Sequence, residues 1–361
     1  MADFAILHAV EELSRIALNG GLGRPHFEDP RYAAKEFSAA NLKSLGKTDK
    51  KICFVDGGSA VIMEAPNFAL AAHRVYYSKY NGVKREKPKL PNMIDFFSLT
   101  VSKPFSGGIN YETTIYYDDK NAELVIPNKE NLVFDSFDRT MTFGPVRADI
   151  SKVAMIAREF AEWNMIALLA KNEDAEIIVR DGSLQTIKTN ESKYANKAIE
   201  ACAQRNVVLC GVSKTSTLLT TTGIPLLAAI NNIAESSELK KRSWYYENIV
   251  EINHPDHNAE MFVAKLDPAS RYVFRVEISK KSLETANASE IIAGLAANST
   301  DLSFPGYPYG LINSDMMGRV SNDELKYNKI KMMAAASSRG AAKMLDAGAK
   351  TEDAHGVLDS M

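Results

Sequence analysis

The spacing of apolar residues changes along this chain, and each change marks a different kind of element. The first twenty residues carry apolar positions at helical spacing and predict an amphipathic helix closed by Gly20-Gly21. A polar, proline-containing stretch to about Lys51 predicts loop. From Ile52 to about Thr142, β-branched and aromatic residues dominate. Segments around Phe54, Val61-Ile62, Val75-Tyr76-Tyr77, 96–101, 113–117 and 124–126 read as strands, separated by turn signals such as Ser106-Gly107-Gly108 and Asp118-Asp119. At 149–171 the period becomes helical, with Val153, Ile156, Phe160, Trp163 and Ala167 forming a core-facing stripe. Helix and strand then alternate: helices near 193–206, 224–236 and 283–298, strands at 207–212, 261–266 and 272–279. The last helical part opens at Pro305-Gly306-Tyr307-Pro308 and runs to about Leu345. Ser321-Asn322-Asp323-Glu324 has capping-box spacing within it. Residues 1–345 read as one domain, without internal repeats, and 346–361 as a mobile tail.

Two apolar strands in this pattern end on the same dipeptide. Ile52-Cys53-Phe54-Val55 runs into Asp56-Gly57-Gly58-Ser59, and Ile177-Ile178-Val179-Arg180 into Asp181-Gly182-Ser183-Leu184. Asp-Gly is a common turn dipeptide, so either motif alone reads as a turn. Together they follow near-continuous apolar runs, as buried parallel strands do, and active sites of α/β folds sit at the C-terminal ends of such strands. A strand bearing an acid, antiparallel strands, a helix, then a second acid-bearing strand is the order of a ribonuclease H-like α/β fold. There the first and fourth strands lie side by side in a mixed sheet flanked by helices. The pairing requires the Asp56 and Asp181 carboxylates to lie within about 8 Å, so that they can share divalent ions.

The intervening helix has a second face, Met155, Glu159, Glu162, Ile166 and Leu169, where two glutamates interrupt apolar positions. A buried carboxylate is costly unless it is paired or metal-bound, so one of them either points at the aspartates or lies at the solvent boundary. Lys214 follows the strand at 207–212, where a cation could meet a phosphate. Val208 and Ser213 stand where a phosphate-binding P-loop has its glycines, so this segment is not one. His254-Pro255-Asp256-His257 reads as a polar loop, not a metal site, and Trp244-Tyr245-Tyr246 as core or interface packing more than a base-stacking surface.

Composition narrows the picture. An apolar fraction of 45 % supports a substantial core. Forty-three basic against 45 acidic residues give a net charge of −2, so a nucleic-acid surface would have to be local. Cys53, Cys202 and Cys210 lack metal-type spacing and read as reduced, buried thiols. The N-terminal residues lack a basic region, and no window has the ~18–20 apolar residues of a membrane span. The expectation is a soluble cytoplasmic protein.

With these residues in view the chain resembles the NurA nuclease family. The matching pieces are Val55-Asp56-Gly57-Gly58-Ser59, the helical glutamate, Arg180-Asp181-Gly182-Ser183-Leu184, Gly211-Val212-Ser213-Lys214, and Tyr307-Pro308-Tyr309-Gly310-Leu311 before a helix, spread over about residues 50–330. The resemblance implies a Mn²⁺- or Mg²⁺-dependent DNA nuclease, a homodimer, and a HerA-type hexameric ATPase that drives DNA into it during end resection. Carried over by motif, Asp56, Glu162 and Asp181 would be metal ligands, with Glu159 in reserve, and Lys214 the family's lysine. Where the family carries a histidine after the Tyr-Pro block, this chain has Asp315, which would favour Mg²⁺ over nitrogen-tolerant Mn²⁺. Arg180 and Arg319 complete the expected DNA contacts. The mechanism expected is two-metal hydrolysis with ions about 3.5–4 Å apart. Four carboxylates so close repel one another, which predicts poor order without metal. Two further readings remain: an actin-like ATP-binding phosphotransferase, from Asp56-Gly57-Gly58-Ser59, and a catalytically inactive dimeric partner of a translocase, from Asp315.

Overall fold

The computed structural model describes residues 3–19, 21–142, 144–302 and 304–340, so the tail expected from 346 lies outside them. The chain begins with α1 (Asp3–Asn19) and three short strands, β1 (Pro25–His26), β2 (Tyr32–Ala34) and β3 (Leu42–Ser44). Next come β4 (Lys51–Ala65), β5 (Phe68–Asn81), β6 (Lys84–Arg85), β7 (Met93–Phe105), β8 (Gly108–Tyr116) and β9 (Val133–Asp135). Helix α2 (Ile150–Asn172) leads to β10 (Ile177–Asp181), and α3 (Glu191–Gln204) to β11 (Val208–Ser213). After β12 (Leu219–Thr220) and α4 (Leu226–Glu235) come β13 (Trp244–Tyr246), β14 (Val250–Ile252), β15 (Ala259–Lys265) and β16 (Phe274–Ser279). Helices follow: α5 (Lys280–Leu283), α6 (Ala288–Ala297), α7 (Tyr309–Gly318) and α8 (Asn322–Ser338), the last opened by a capping box of Ser321 and Glu324.

This is a mixed α/β protein whose main sheet has 12 strands among the described residues. The described residues divide into two compact units. One gathers those of Lys51–Arg180, Thr186–Val207 and Gly310–Met361, the other those of Met1–Lys50, Asp181–Gln185 and Val208–Tyr309.

In the first unit the strands run in the order β10-β4-β5-β7-β8-β9, with β6 beside β5. Strands β4, β5, β7, β8 and β9 pair antiparallel in turn. Strand β10 lies parallel to β4, from Ile177 opposite Ile52 to Arg180 opposite Val55. The two acid-bearing strands, β4 and β10, are therefore neighbours, as the order of elements predicts. Helix α2 packs on β4, β5 and β7. Its Asp149 cap accepts a hydrogen bond from Ser151 N. Val153, Ile156, Phe160 and Trp163 are buried, as are Val55, Val75 and Phe96 on the sheet face it covers. Each such side chain contributes roughly 1.5–3 kcal/mol on leaving water. The glutamate face is buried too, Glu162 being only 2 % exposed, so the helix is covered nearly all round.

Strand β4 departs from expectation. Asp56-Gly57-Gly58 is not a turn: the strand continues to Ala65, with Asp56 opposite Tyr76 and Gly58 opposite Arg74. The glycines serve close approach instead. A Cβ at 57 would stand 2.7 Å from Arg74 O and 2.9 Å from Glu162 Oε1, and one at 58 would strike Gly318 O and lie 3.1 Å from Arg319 Cα. The strand expected at 124–126 is also absent. Lys120–Leu124 forms a 3₁₀ turn because the Asp119 side chain accepts from Asn121 N and captures the backbone locally.

A buried histidine gives this unit a pH dependence. His73 lies with Nδ1 2.8 Å from Ser59 Oγ and Nε2 2.7 Å from Ser98 Oγ. Burial, helped by the nearby Arg158 cation, lowers its pKa from 6.5 to about 3. The unfolded chain therefore binds a proton below pH 6.5 that the fold refuses. Stability from this site is complete above 6.5 and falls as pH drops from there toward 3, by at most about 1.4 kcal/mol per pH unit. Urea melts of wild type and His73→Gln between pH 7 and 5 should show a shallower pH slope for the variant. Identical slopes contradict this account.

In the second unit the strands run β3-β13-β15-β16-β11, with β13, β15, β16 and β11 paired antiparallel. Two-stranded ribbons join β1 to β12 and β2 to β14. Its core gathers Leu226, Ile230, Trp244, Tyr246, Ile249 and Val263, so the Trp244-Tyr245-Tyr246 cluster is packing. Cys53, Cys202 and Cys210 are buried free thiols. Among the described residues no helix is long and apolar enough to cross a membrane.

Candidate functional site

Because Arg180 pairs with Val55, the next residue outward on each parallel strand is an aspartate. Asp56, Asp181 and Asp315 each offer a carboxylate oxygen, and these oxygens lie within 4.8 Å of one another. That satisfies the ~8 Å ceiling for shared ions. Asp56 Oδ1 also accepts from Gly57 N at 2.7 Å.

Asp315 arrives on α7, and the face of that helix explains how. Gly310, Ser314 and Gly318, four residues apart, form a stripe of small residues turned to β4. A Cβ at 310 would strike the Phe54 ring. Ser314 Oγ donates to Phe54 O at 3.0 Å and lies 3.0 Å from Ser78 Oγ. A Cβ at 318 would sit 3.3 Å from Gly57 Cα. Small residues let the helix axis come close to the strand, and Asp315, next to Ser314, reaches the strand's acid.

Glu162 stands outside this trio: its Oε1 lies next to Gly57 on the α2 side of β4, whereas Phe54 and Gly58, on the same strand face as Asp56, meet α7. Both of its oxygens are engaged, Oε1 by Arg158 and Oε2 by Arg180 Nη2 at 3.4 Å. Arg180 also lies over the Trp163 ring, 4.7 Å from its centroid. Its guanidinium thus serves the helical glutamate, and a phosphate would compete for it. Glu159 is 3.9 Å from Arg158 Nη2, and burial pushes its carboxyl pKa up. Arg319, largely exposed, pairs with Asp315. The mutual repulsion expected of the acids is thereby offset by cations: Arg158 and Arg180 on Glu162, Arg319 on Asp315, and Lys214 on Asp181.

Asp181 is held on both oxygens. Lys214 Nζ lies 2.6 Å from Oδ2, and Tyr307 OH donates to Oδ1 at 3.3 Å. The lysine also lies over the Tyr307 ring, 5.7 Å from its centroid. The turn beyond Asp181 does need its glycine: Gly182 has φ +105°, and its N–H donates to Val212 O at 2.8 Å.

Sequence reasoning quoted Tyr307 only as part of a motif, and it missed Glu277 altogether. Glu277 is 1 % exposed, and its Oε2 accepts from Ser183 Oγ at 2.9 Å and Leu184 N at 2.7 Å. His257 Nε2 lies 3.1 Å from Oε2, and Arg275 Nε 3.2 Å from Oε1. Burial alone would raise its pKa, but His257, Arg275 and the Leu184 N–H prevail and hold it at about 2. A signal was present: Arg275, Glu277 and Ser279 alternate with Phe274, Val276 and Ile278, putting charge on one face of a strand whose length is otherwise apolar.

Acids from adjoining strands of a mixed sheet, backed by a glutamate-bearing helix, are the arrangement of an α/β nuclease. The NurA domain matches residues 50–320, and the chain belongs to the NurA family. NurA proteins are metal-dependent nucleases that act on DNA, and the acidic trio is a group among the described residues that could hold the metal. No curated protein matches the chain.

Proposed function

We propose that this protein is a divalent-metal-dependent deoxyribonuclease that hydrolyses phosphodiester bonds. Asp56, Asp181 and Asp315 hold Mn²⁺ or Mg²⁺, and Glu162 completes the acid set. The observation that carries the reading is three carboxylate oxygens within 4.8 Å in a NurA chain. An all-oxygen, anionic donor set fits a hard divalent ion that keeps several waters. Without the histidine of the family pattern, the set favours Mg²⁺ more than a nitrogen-containing one would. Bound ions supply Lewis-acid stabilisation of phosphoryl oxygens and a water activated at neutral pH.

The chain's own groups do the positioning. Tyr307 donates to one oxygen of Asp181 and fixes the carboxylate's orientation. Lys214, on the other oxygen, is partly exposed and placed to exchange the carboxylate for a scissile or adjacent phosphate. Arg158 and Arg180 orient Glu162. Arg319 reaches solvent from Asp315 and meets the DNA backbone. The same proposal includes a cytoplasmic homodimer fed by a HerA-type hexameric ATPase during end resection and repair. A net charge of −2 suits an enzyme that receives DNA from a motor over one that captures it by its own field.

The test is cleavage of linear DNA with Mn²⁺, with Mg²⁺ and with chelator. Cleavage in both metals and none in chelator is expected, with Mn²⁺ raising the unfolding temperature by mass action. Chelator-resistant cleavage, or no cleavage and no metal binding at millimolar ion, rejects the reading. The latter result would favour the inactive dimeric partner.

A further inference from the structure

Glu277 lies outside the acid trio, yet its strongest contacts go to the two residues that follow the turn after Asp181. In the β11–β16 register Glu277 is opposite Gly211. A Cβ at 211 would collide with Gly182 O and lie 3.3 Å from Leu184 Cγ, so the Asp181-Gly182-Ser183-Leu184 turn passes directly over β11. There one carboxylate oxygen of Glu277 takes both the Ser183 hydroxyl and the Leu184 N–H. The Ser183 hydroxyl oxygen in turn accepts from Gln185 N at 3.0 Å.

Glu277 is itself fixed from the opposite side. His257 and Arg275 flank its two oxygens. Tyr32 OH lies 3.0 Å from His257 Nδ1, and Arg275 Nη2 lies 3.3 Å from Ser213 Oγ, one residue before Lys214. A buried carboxylate with this many partners is held in one place, and burying it is costly unless its partners stay. The same side chain thus ties the turn after Asp181 and, through Arg275 and Ser213, the segment before Lys214.

We infer that Glu277 is a positioning residue for the metal centre: with His257 and Arg275 it holds the turn after Asp181, and the strand end before Lys214, so that ligand and lysine keep their mutual geometry. The inference rests on the nuclease reading of Asp181. Partners that orient a metal ligand are typically worth 10–100-fold in metal affinity or activity.

The test compares wild type with Glu277→Gln, Glu277→Ala and Ser183→Ala. Three quantities are measured: the Mn²⁺ dissociation constant by calorimetry without DNA, kcat and KM on linear DNA, and the unfolding temperature. Glutamine keeps one oxygen acceptor for the turn, so Mn²⁺ affinity should fall in the order wild type, Gln, Ala, by about tenfold or more for Ala. Rate should fall with it while KM for DNA stays within about twofold. Ser183→Ala removes one bond to Glu277 without opening the core, and decides the matter should Glu277→Ala fail to fold. Its Mn²⁺ affinity should be several-fold weaker, with the unfolding temperature lowered less than in Glu277→Ala. Wild-type cleavage and metal binding, with folded Gln and Ser183→Ala variants matching wild type in Mn²⁺ affinity and kcat, overturn the inference and leave the nuclease reading intact. A wild type that neither binds Mn²⁺ nor cleaves overturns both.

Discussion

Alanine at Asp181 is expected to lower metal-dependent DNA cleavage by about a thousandfold or more at a small cost in stability, about 1–3 kcal/mol. The loss follows from chemistry: stabilisation by a bound ion is worth several kcal/mol, and each 1.4 kcal/mol is tenfold in rate. The small effect on stability follows from the surroundings. Two partners are left behind. Lys214, 41 % exposed, returns to water, and ion pairs of that kind contribute about 0–1 kcal/mol. The buried Tyr307 hydroxyl loses this acceptor, at about 1–3 kcal/mol. Asp56→Ala should behave alike in rate. Asp181→Asn is the informative control, because it keeps an oxygen for the Tyr307 hydroxyl but loses the charge. Should Asp181→Asn bind Mn²⁺ and cleave like wild type, Asp181 is not a ligand and the acid trio is not the centre.

What the sequence disclosed and what it withheld divide along a physical line. Features with a local cause were legible. Continuous apolar runs, four residues long in β4 and three in β10, marked both as buried parallel strands, a 3.6-residue stripe marked α2, and Ser321 with Glu324 marked the start of α8. Asp56 and Asp181 could be named because each ends such a run. What failed was the reading of Gly57-Gly58 as a bend. Glycine signals either a turn or a close approach, and only the distant Gly318 distinguishes them. Glu277 was hidden for the same reason: its meaning lies in Ser183 and Leu184, 94 and 93 residues away. The stripe Gly310, Ser314, Gly318 was visible as spacing, but small residues on a short helix have many uses until the surface they face is known. Asp315 was placed by family order, and the stripe supplies the physical reason for its position.

That stripe carries the second large effect. Gly58→Ala is expected to cost about 1–3 kcal/mol of stability and at least tenfold in cleavage, although position 58 has no functional side chain. Two effects oppose each other. Alanine restricts the unfolded chain and would stabilise by about 0.4–1 kcal/mol if the site had room. It has none: the new methyl meets the carbonyl of Gly318 and stands 3.1 Å from Arg319 Cα, both main chain. Overpacking against backbone costs about 1–3 kcal/mol, so the clash wins. The strand cannot yield, because Gly58 is paired on β5 and β4 is pinned through Val55 to β10. Helix α7 is the part that moves, and it moves from the end nearest Asp315. Rate and Mn²⁺ affinity should therefore fall together, measured at a temperature where the variant is fully folded. Gly310→Ala, which strikes Phe54 at the other end of α7, should lose at least as much stability with a smaller drop in Mn²⁺ affinity. If Gly58→Ala unfolds earlier yet binds Mn²⁺ as tightly as wild type, the seating of α7 on β4 does not place Asp315, and that residue's part in the centre must be given up.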